Sequence, residues 1–153
     1  MTMTVPGKFP QPLRCIVSQQ GKINPAHPIF SKTGGAIHLL MTGDSAVVSP
    51  SPSPMIVHRQ PLREFLHTLA SEHQIQQLHC EGGGQLIRAL AELDVIDDFH
   101  LTLAGHTLFG GLQAATATGI PAGFLPNSLN FRLTHFAPQS LTGECFLTYT
   151  RLI

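Results

Sequence analysis

The chain has 153 residues, enough for one compact domain, with 42% hydrophobic residues and a formal net charge of zero. Charged residues make up only 12%, about half the usual share, and they form neither a basic stripe nor an acidic tail, which argues against a nucleic-acid binder. No run of eighteen apolar residues marks a membrane span, the N-terminus does not read as a secretory leader, and three widely spaced cysteines (Cys15, Cys80, Cys145) fit unpaired thiols in a reducing compartment.

Residues 1–12 carry Pro6, Gly7, Pro10 and Pro12 and are expected to form a loose arm. An apolar run over 13–18 predicts a buried strand, residues 20–22 a turn, and residues 36–42 a second buried strand. Three Ser-Pro repeats over 49–54 predict an extended, exposed loop. A brief strand is expected at 55–58. Pro61 then opens a helix whose Leu62, Phe65, Leu66 and Leu69 fall on one stripe.

The most telling stretch runs from residue 75 to residue 93. Residues 75–80 have strand character. Gly82, Gly83 and Gly84 follow, and Leu86, Ile87, Leu90 and Leu93 then recur at helical spacing. Glycines between a strand and a helix let the backbone approach a ligand, and the first helical turn offers free N–H groups at the positive end of the helix dipole. This combination is an anion site with one carboxylate, Glu81, at its mouth. It is neither a P-loop, since no Lys-Ser/Thr pair follows, nor the dinucleotide fingerprint, since Arg88 and Ala89 stand where its third glycine belongs.

Phe99, Leu101 and Leu103 alternate with polar residues as another strand. Strand, helix, strand at this spacing predicts a crossover that joins parallel neighbours. Residues 105–127 are rich in Gly, Ala and Thr and weakly patterned, as functional or mobile segments are. Two alternating strands, around 129–133 and 145–149, close the chain as a hairpin across 137–143.

Other constellations read as structural. His67, His73 and His79 share no helical face, no C-x-x-C or H-x-x-x-H pair exists, and no metal site is expected; the nine histidines are expected at the surface or at polar edges of the core. His79-Cys80-Glu81 matches the H-x-E of zinc deaminases but lacks the P-C-x-x-C that completes their site. Cys80 and His79 point to opposite faces of a strand, so they do not form a nucleophile pair. Asp94, Asp97 and Asp98 read as a solvated turn.

Taken in order, Glu81-Gly82-Gly83-Gly84-Gln85-Leu86, the helix, the Leu93–Asp98 turn, a strand and then Leu108-Phe109-Gly110-Gly111 resemble the C-terminal reductase domain of the bifunctional riboflavin-biosynthesis protein RibD. Pro12–Ser18 is similar to that family's central strand, and residues 146–151 to its final strand. The resemblance implies an α/β, dihydrofolate-reductase-like fold: a mostly parallel sheet flanked by helices, with an antiparallel C-terminal hairpin. It implies a reductase domain over 13–153, shortened on its N-terminal side, where the family carries a longer segment.

The activity implied is NADPH-dependent hydride transfer that reduces the ribosyl group of 5-amino-6-(5-phosphoribosylamino)uracil or a related pyrimidine. The cofactor would lie on Gly82, Gly83, Gly84, Gln85, Leu86, Ile87, Arg88 and Ala89, with Ser18 as a further contact, and Glu81 would touch the substrate. No residue stands out as the general acid. The resemblance also implies a cytoplasmic homodimer, joined through residues 129–136 and 145–149. The alternative is a non-catalytic nucleotide-binding or assembly domain that keeps the fold without turnover.

Overall fold

A computed structural model of the chain describes residues 2–4, 11–44, 53–104 and 123–152. It divides into two units, Met1–Glu81 and Gly82–Ile153. The Ser-Pro segment up to residue 52 and the Leu108–Gly111 motif lie outside the described residues.

The first unit is a five-stranded sheet carrying a helix. Its strands are β1 (Thr2–Thr4), β2 (Leu13–Ser18), β3 (Ile37–Met41), β4 (Met55–His58) and β5 (Gln77–His79), and its helix is α1 (Leu62–Ser71). The spatial order is β4-β3-β2-β1-β5. β2, β3 and β4 are parallel, as their continuous apolar runs suggest. β1 is antiparallel to both β2 and β5. This corrects the expectation of a loose arm: Thr2–Thr4 forms a strand between two others. Its ladder is formed with residues 13–14 and 77–79, partners that no pattern within the first twelve residues indicates.

β3 is buried along its whole length. On β2, alternation puts Leu13, Cys15 and Val17 on one face, where Leu40 of β3 joins them. Leu62, Phe65 and Leu69 recur along one stripe of α1 and meet that face, with Ile75 and Leu78 closing the cluster. Phe65 and Leu69 are fully buried, each contributing about 1.5–3 kcal/mol of transfer free energy. Burial pushes the Cys15 thiol up to about 12, so it stays neutral and acts as a small apolar residue.

Arg14 points to the opposite side of β2 from this cluster. Its guanidinium donates to the carbonyls of Gly35 (3.0 Å), Lys32 (3.0 Å) and Ile29. One side chain thereby satisfies three loop carbonyls and fixes the approach to β3.

The second unit contains α2 (Gly84–Glu92), β6 (Asp98–Leu103), β7 (Phe131–Pro138) and β8 (Cys145–Arg151). Its sheet order is β6-β8-β7, all antiparallel. The C-terminal hairpin is therefore present, with an irregularity between Leu133 and His135. The expected parallel pairing of the strands around α2 is not found among the described residues: β5 pairs with β1, and β6 pairs with β8. A crossover rule presumes that both strands enter one sheet, and here they enter two.

The acidic turn after α2 is structural. Asp94 adopts a left-handed conformation (φ 55°) and its Oδ1 accepts from Arg151 Nη2 at 2.7 Å. Asp98 accepts from the Thr150 hydroxyl at 2.7 Å, and the Arg151 N–H donates to the Asp97 carbonyl. Arg151 also lies over the Phe131 ring, 5.6 Å from its centroid.

Candidate functional site

The site is the amino end of α2. Gly82 has φ +87°, a left-handed conformation open to glycine at little cost, and the Gly82–Gly83 peptide is cis. Gly83 caps the helix through its backbone alone, with no side-chain capping bond. Its carbonyl accepts from the N–H groups of Leu86 (3.0 Å) and Ile87 (3.1 Å). Arg88 and Ala89 lie far enough along α2 for their N–H groups to enter the helix ladder.

That accounting leaves Gly84 and Gln85. Their N–H groups have no acceptor among the described residues, as expected for the first turn of a helix without a side-chain cap. No acidic residue stands in this turn to compete with an incoming anion. A Cβ placed on Gly83 would meet nothing within 4 Å. Local packing therefore does not demand glycine there, next in the chain to the two donors. Donors, dipole and room together fit a phosphate group.

The other expected contacts differ in what they have available. Gln85 is exposed, whereas Leu86, Ile87 and Ala89 are half-buried. Arg88 is engaged: its Nε donates to Glu92 at 2.7 Å, and its Nη1 donates to the Gly123 carbonyl at 2.6 Å. Its charge braces the helix and the 123 segment instead of standing free at the turn. Ser18 belongs to the other unit and is also occupied, its hydroxyl accepting from the Gly21 N–H at 3.0 Å in the expected turn.

Glu81 directly precedes the glycines in the chain. It is exposed and makes no ion pair or hydrogen bond among the described residues. Cys80 is half-buried and unpaired by any disulfide. No group of three His, Cys, Asp or Glu residues among the described residues is arranged to hold a metal ion.

A histidine cluster was missed by sequence reasoning. His38, expected with the others at the surface or a polar edge, is buried in β3 and hydrogen-bonded to His58. The signal was available: one histidine inside the apolar run Ile37–Met41 must find a partner when that run is buried.

The two sheets and the glycine turn define an α/β domain of the dihydrofolate-reductase-like class. RibD of Acinetobacter baumannii, form 2, superposes with a TM-score of 0.65 at 21% identity, covering 97% of this chain and 41% of that one. A pyrimidine reductase-like protein of Corynebacterium diphtheriae gives 0.63 at 13% identity, over 91% of this chain and 60% of that one. The riboflavin biosynthesis reductase Rib7 of Saccharomyces cerevisiae gives 0.57 at 14% identity, over 91% and 69%.

The family model of the RibD C-terminal domain matches residues 1–139, and the chain belongs to that family. It spans less than two thirds of the first two of these structures. No curated protein matches it.

Proposed function

We propose that this chain is an NADPH-dependent reductase of riboflavin biosynthesis, acting on the ribosyl group of 5-amino-6-(5-phosphoribosylamino)uracil or a closely related pyrimidine. The observation that carries the reading is the pair of N–H groups, Gly84 and Gln85, that have no acceptor among the described residues, next in the chain to the uncrowded Gly83. Family membership supplies the chemistry expected of such a site.

In this reading the Gly82–Gly84 turn and the first turn of α2 receive a cofactor phosphate through backbone donors. Bound NADPH supplies the hydride. The side chains Leu86 and Ile87 stay within the helix packing, so recognition along residues 82–89 is mainly a backbone matter. Arg88 keeps α2 in place through Glu92 and Gly123. Glu81 accepts hydrogen bonds from the substrate, its carboxylate having no ion-pair or hydrogen-bond partner among the described residues. Ser18 contributes to the cofactor site only if its hydroxyl donates its own proton while still accepting from Gly21. A cytoplasmic setting belongs to this reading, and the lack of a disulfide at Cys15, Cys80 and Cys145 is compatible with it.

Titration of the chain with NADPH, followed by nicotinamide fluorescence, tests the first half; oxidation of NADPH on adding the pyrimidine tests the second. Saturable binding with turnover is the expected result. Binding without turnover would favour a nucleotide-binding or assembly domain, and absence of binding would remove the reading.

The same reading includes a homodimer. Cross-strand register places Leu103, Leu133, Phe136 and Leu147 on one face of the β6-β8-β7 sheet. Leu103, Leu133 and Phe136 are 50%, 45% and 62% exposed. Such a face is suited to a two-fold contact through residues 129–136 and 145–149, with little net charge to oppose association. Sedimentation equilibrium is expected to give a dimer mass at micromolar concentration. A monomer across the whole concentration range would exclude the contact.

A further inference from the structure

The first unit holds three imidazoles that the nucleotide reading does not use. His38, in the middle of β3, is 1% exposed. Its Nδ1 lies 3.0 Å from Nε2 of His58, the last residue of β4. The two rings are near parallel, 13° apart, with centroids separated by 5.2 Å. His73, just after α1, stands edge-on to His38 at 4.7 Å between centroids. Phe65 of α1 lies against His58 at 4.9 Å. From β2, Cys15 is the register neighbour of His38, with its thiol held neutral. Glu72 is the carboxylate that acts on His58.

One shared proton joins β3 to β4, and Phe65 of α1 and His73 pack their rings against the pair. In a nitrogen-to-nitrogen bond between imidazoles, one ring donates and the other accepts, so both can be neutral. Once both facing nitrogens carry protons, two donors confront each other and the bond is lost. Among the described residues β4 is the edge strand, paired with β3 alone, and Ile56 and Val57 are 48% and 40% exposed. An edge with so little apolar burial is drawn from the low-stability end of a fold.

We propose that the His38–His58 pair, with His73 edge-on against it, is an acid-operated latch: with the pair neutral it holds edge strand β4 on β3, and with the pair protonated it releases that strand. This inference is independent of the reductase reading.

The electrostatics run the same way. Burial first, then the neighbouring His73 and His58, bring His38 down to about 4 from its ordinary 6.5. His58 is lowered by burial first, then by His73, with Glu72 opposing. These bases take up protons more readily in the open form than in the closed one. The latch is therefore at full strength above about 6.5 and weakens as pH falls toward about 4. For His38 alone, the opening constant rises about twentyfold between pH 7 and pH 5.

Amide hydrogen exchange of the full chain between pH 7.5 and 5, corrected for intrinsic rates, tests this. Opening at residues 55–58 is expected to rise by at least tenfold as pH falls. His38→Asn keeps a polar atom near the Nδ1 position without a titrating ring, and its exchange there should depend on pH several-fold less than in wild type, the remainder coming from His58. His100→Gln, in the other unit, should behave as wild type. Equal pH dependence in wild type and His38→Asn would overturn the latch. Should His38→Asn fail to fold, the ring titration of wild-type His38 by NMR decides: a midpoint well below 6.5 supports the latch, and one at or above 6.5 overturns it.

Discussion

Gly83→Val is expected to weaken NADPH binding by about thirty- to a hundredfold while leaving the fold intact. Gly83 has φ −66°, which any L-residue adopts, and a Cβ there meets nothing within 4 Å. A valine at this capping position costs up to about 1 kcal/mol, so the melting temperature should fall by only a few degrees. Its methyl groups would, however, stand at the residue before Gly84 and Gln85, where a phosphate must come close to their backbone N–H groups. Losing charge-assisted hydrogen bonds to a phosphate costs about 2–3 kcal/mol, which is the stated loss of affinity. Gly83→Ala should fall between wild type and Gly83→Val. Superimposable titration curves for wild type and Gly83→Val would place the cofactor elsewhere.

The second large effect is expected at Glu81. Glu81→Gln keeps the shape and removes the charge. The residue is exposed and has no ion-pair partner among the described residues, so stability should change by less than about 0.5 kcal/mol. A carboxylate that accepts hydrogen bonds from substrate contributes more than its neutral amide, and kcat/KM should fall by about ten- to a hundredfold. Cofactor affinity should be unchanged, which separates this variant from Gly83→Val. If Glu81→Gln instead melts many degrees lower and turns over normally, Glu81 is a structural residue.

What could be read from the sequence follows from the range of the physics involved. The strands Leu13–Ser18 and Met55–His58 and both helices stand at their expected places, because period and capping act over a few residues. The turn at Gly82–Gly84 was legible for the same reason: a helix start exposes its own donors whatever surrounds it. Partner choice is different. Nothing near Phe99 indicates that it will face Tyr149. Thr2–Thr4 looked like part of an arm because its ladder depends on residues 13–14 and 77–79. Arg88 was expected at the cofactor, yet its guanidinium reaches Gly123, 35 residues away. The histidine pair, 20 residues apart, is again a product of strand order.

The order β6-β8-β7 also bears on how the second unit is made in the cell. β6 and β7 do not pair with each other; both are joined through β8. As the chain leaves the ribosome, β6 emerges with no partner in its own sheet and waits for about 40 further residues. At typical elongation speeds that interval lasts several seconds, during which its backbone donors and acceptors and Leu101 and Leu103 are uncovered. Cys145–Arg151 thus acts as a closing piece, and synthesis that stalls before it leaves β6 and β7 without the strand that joins them.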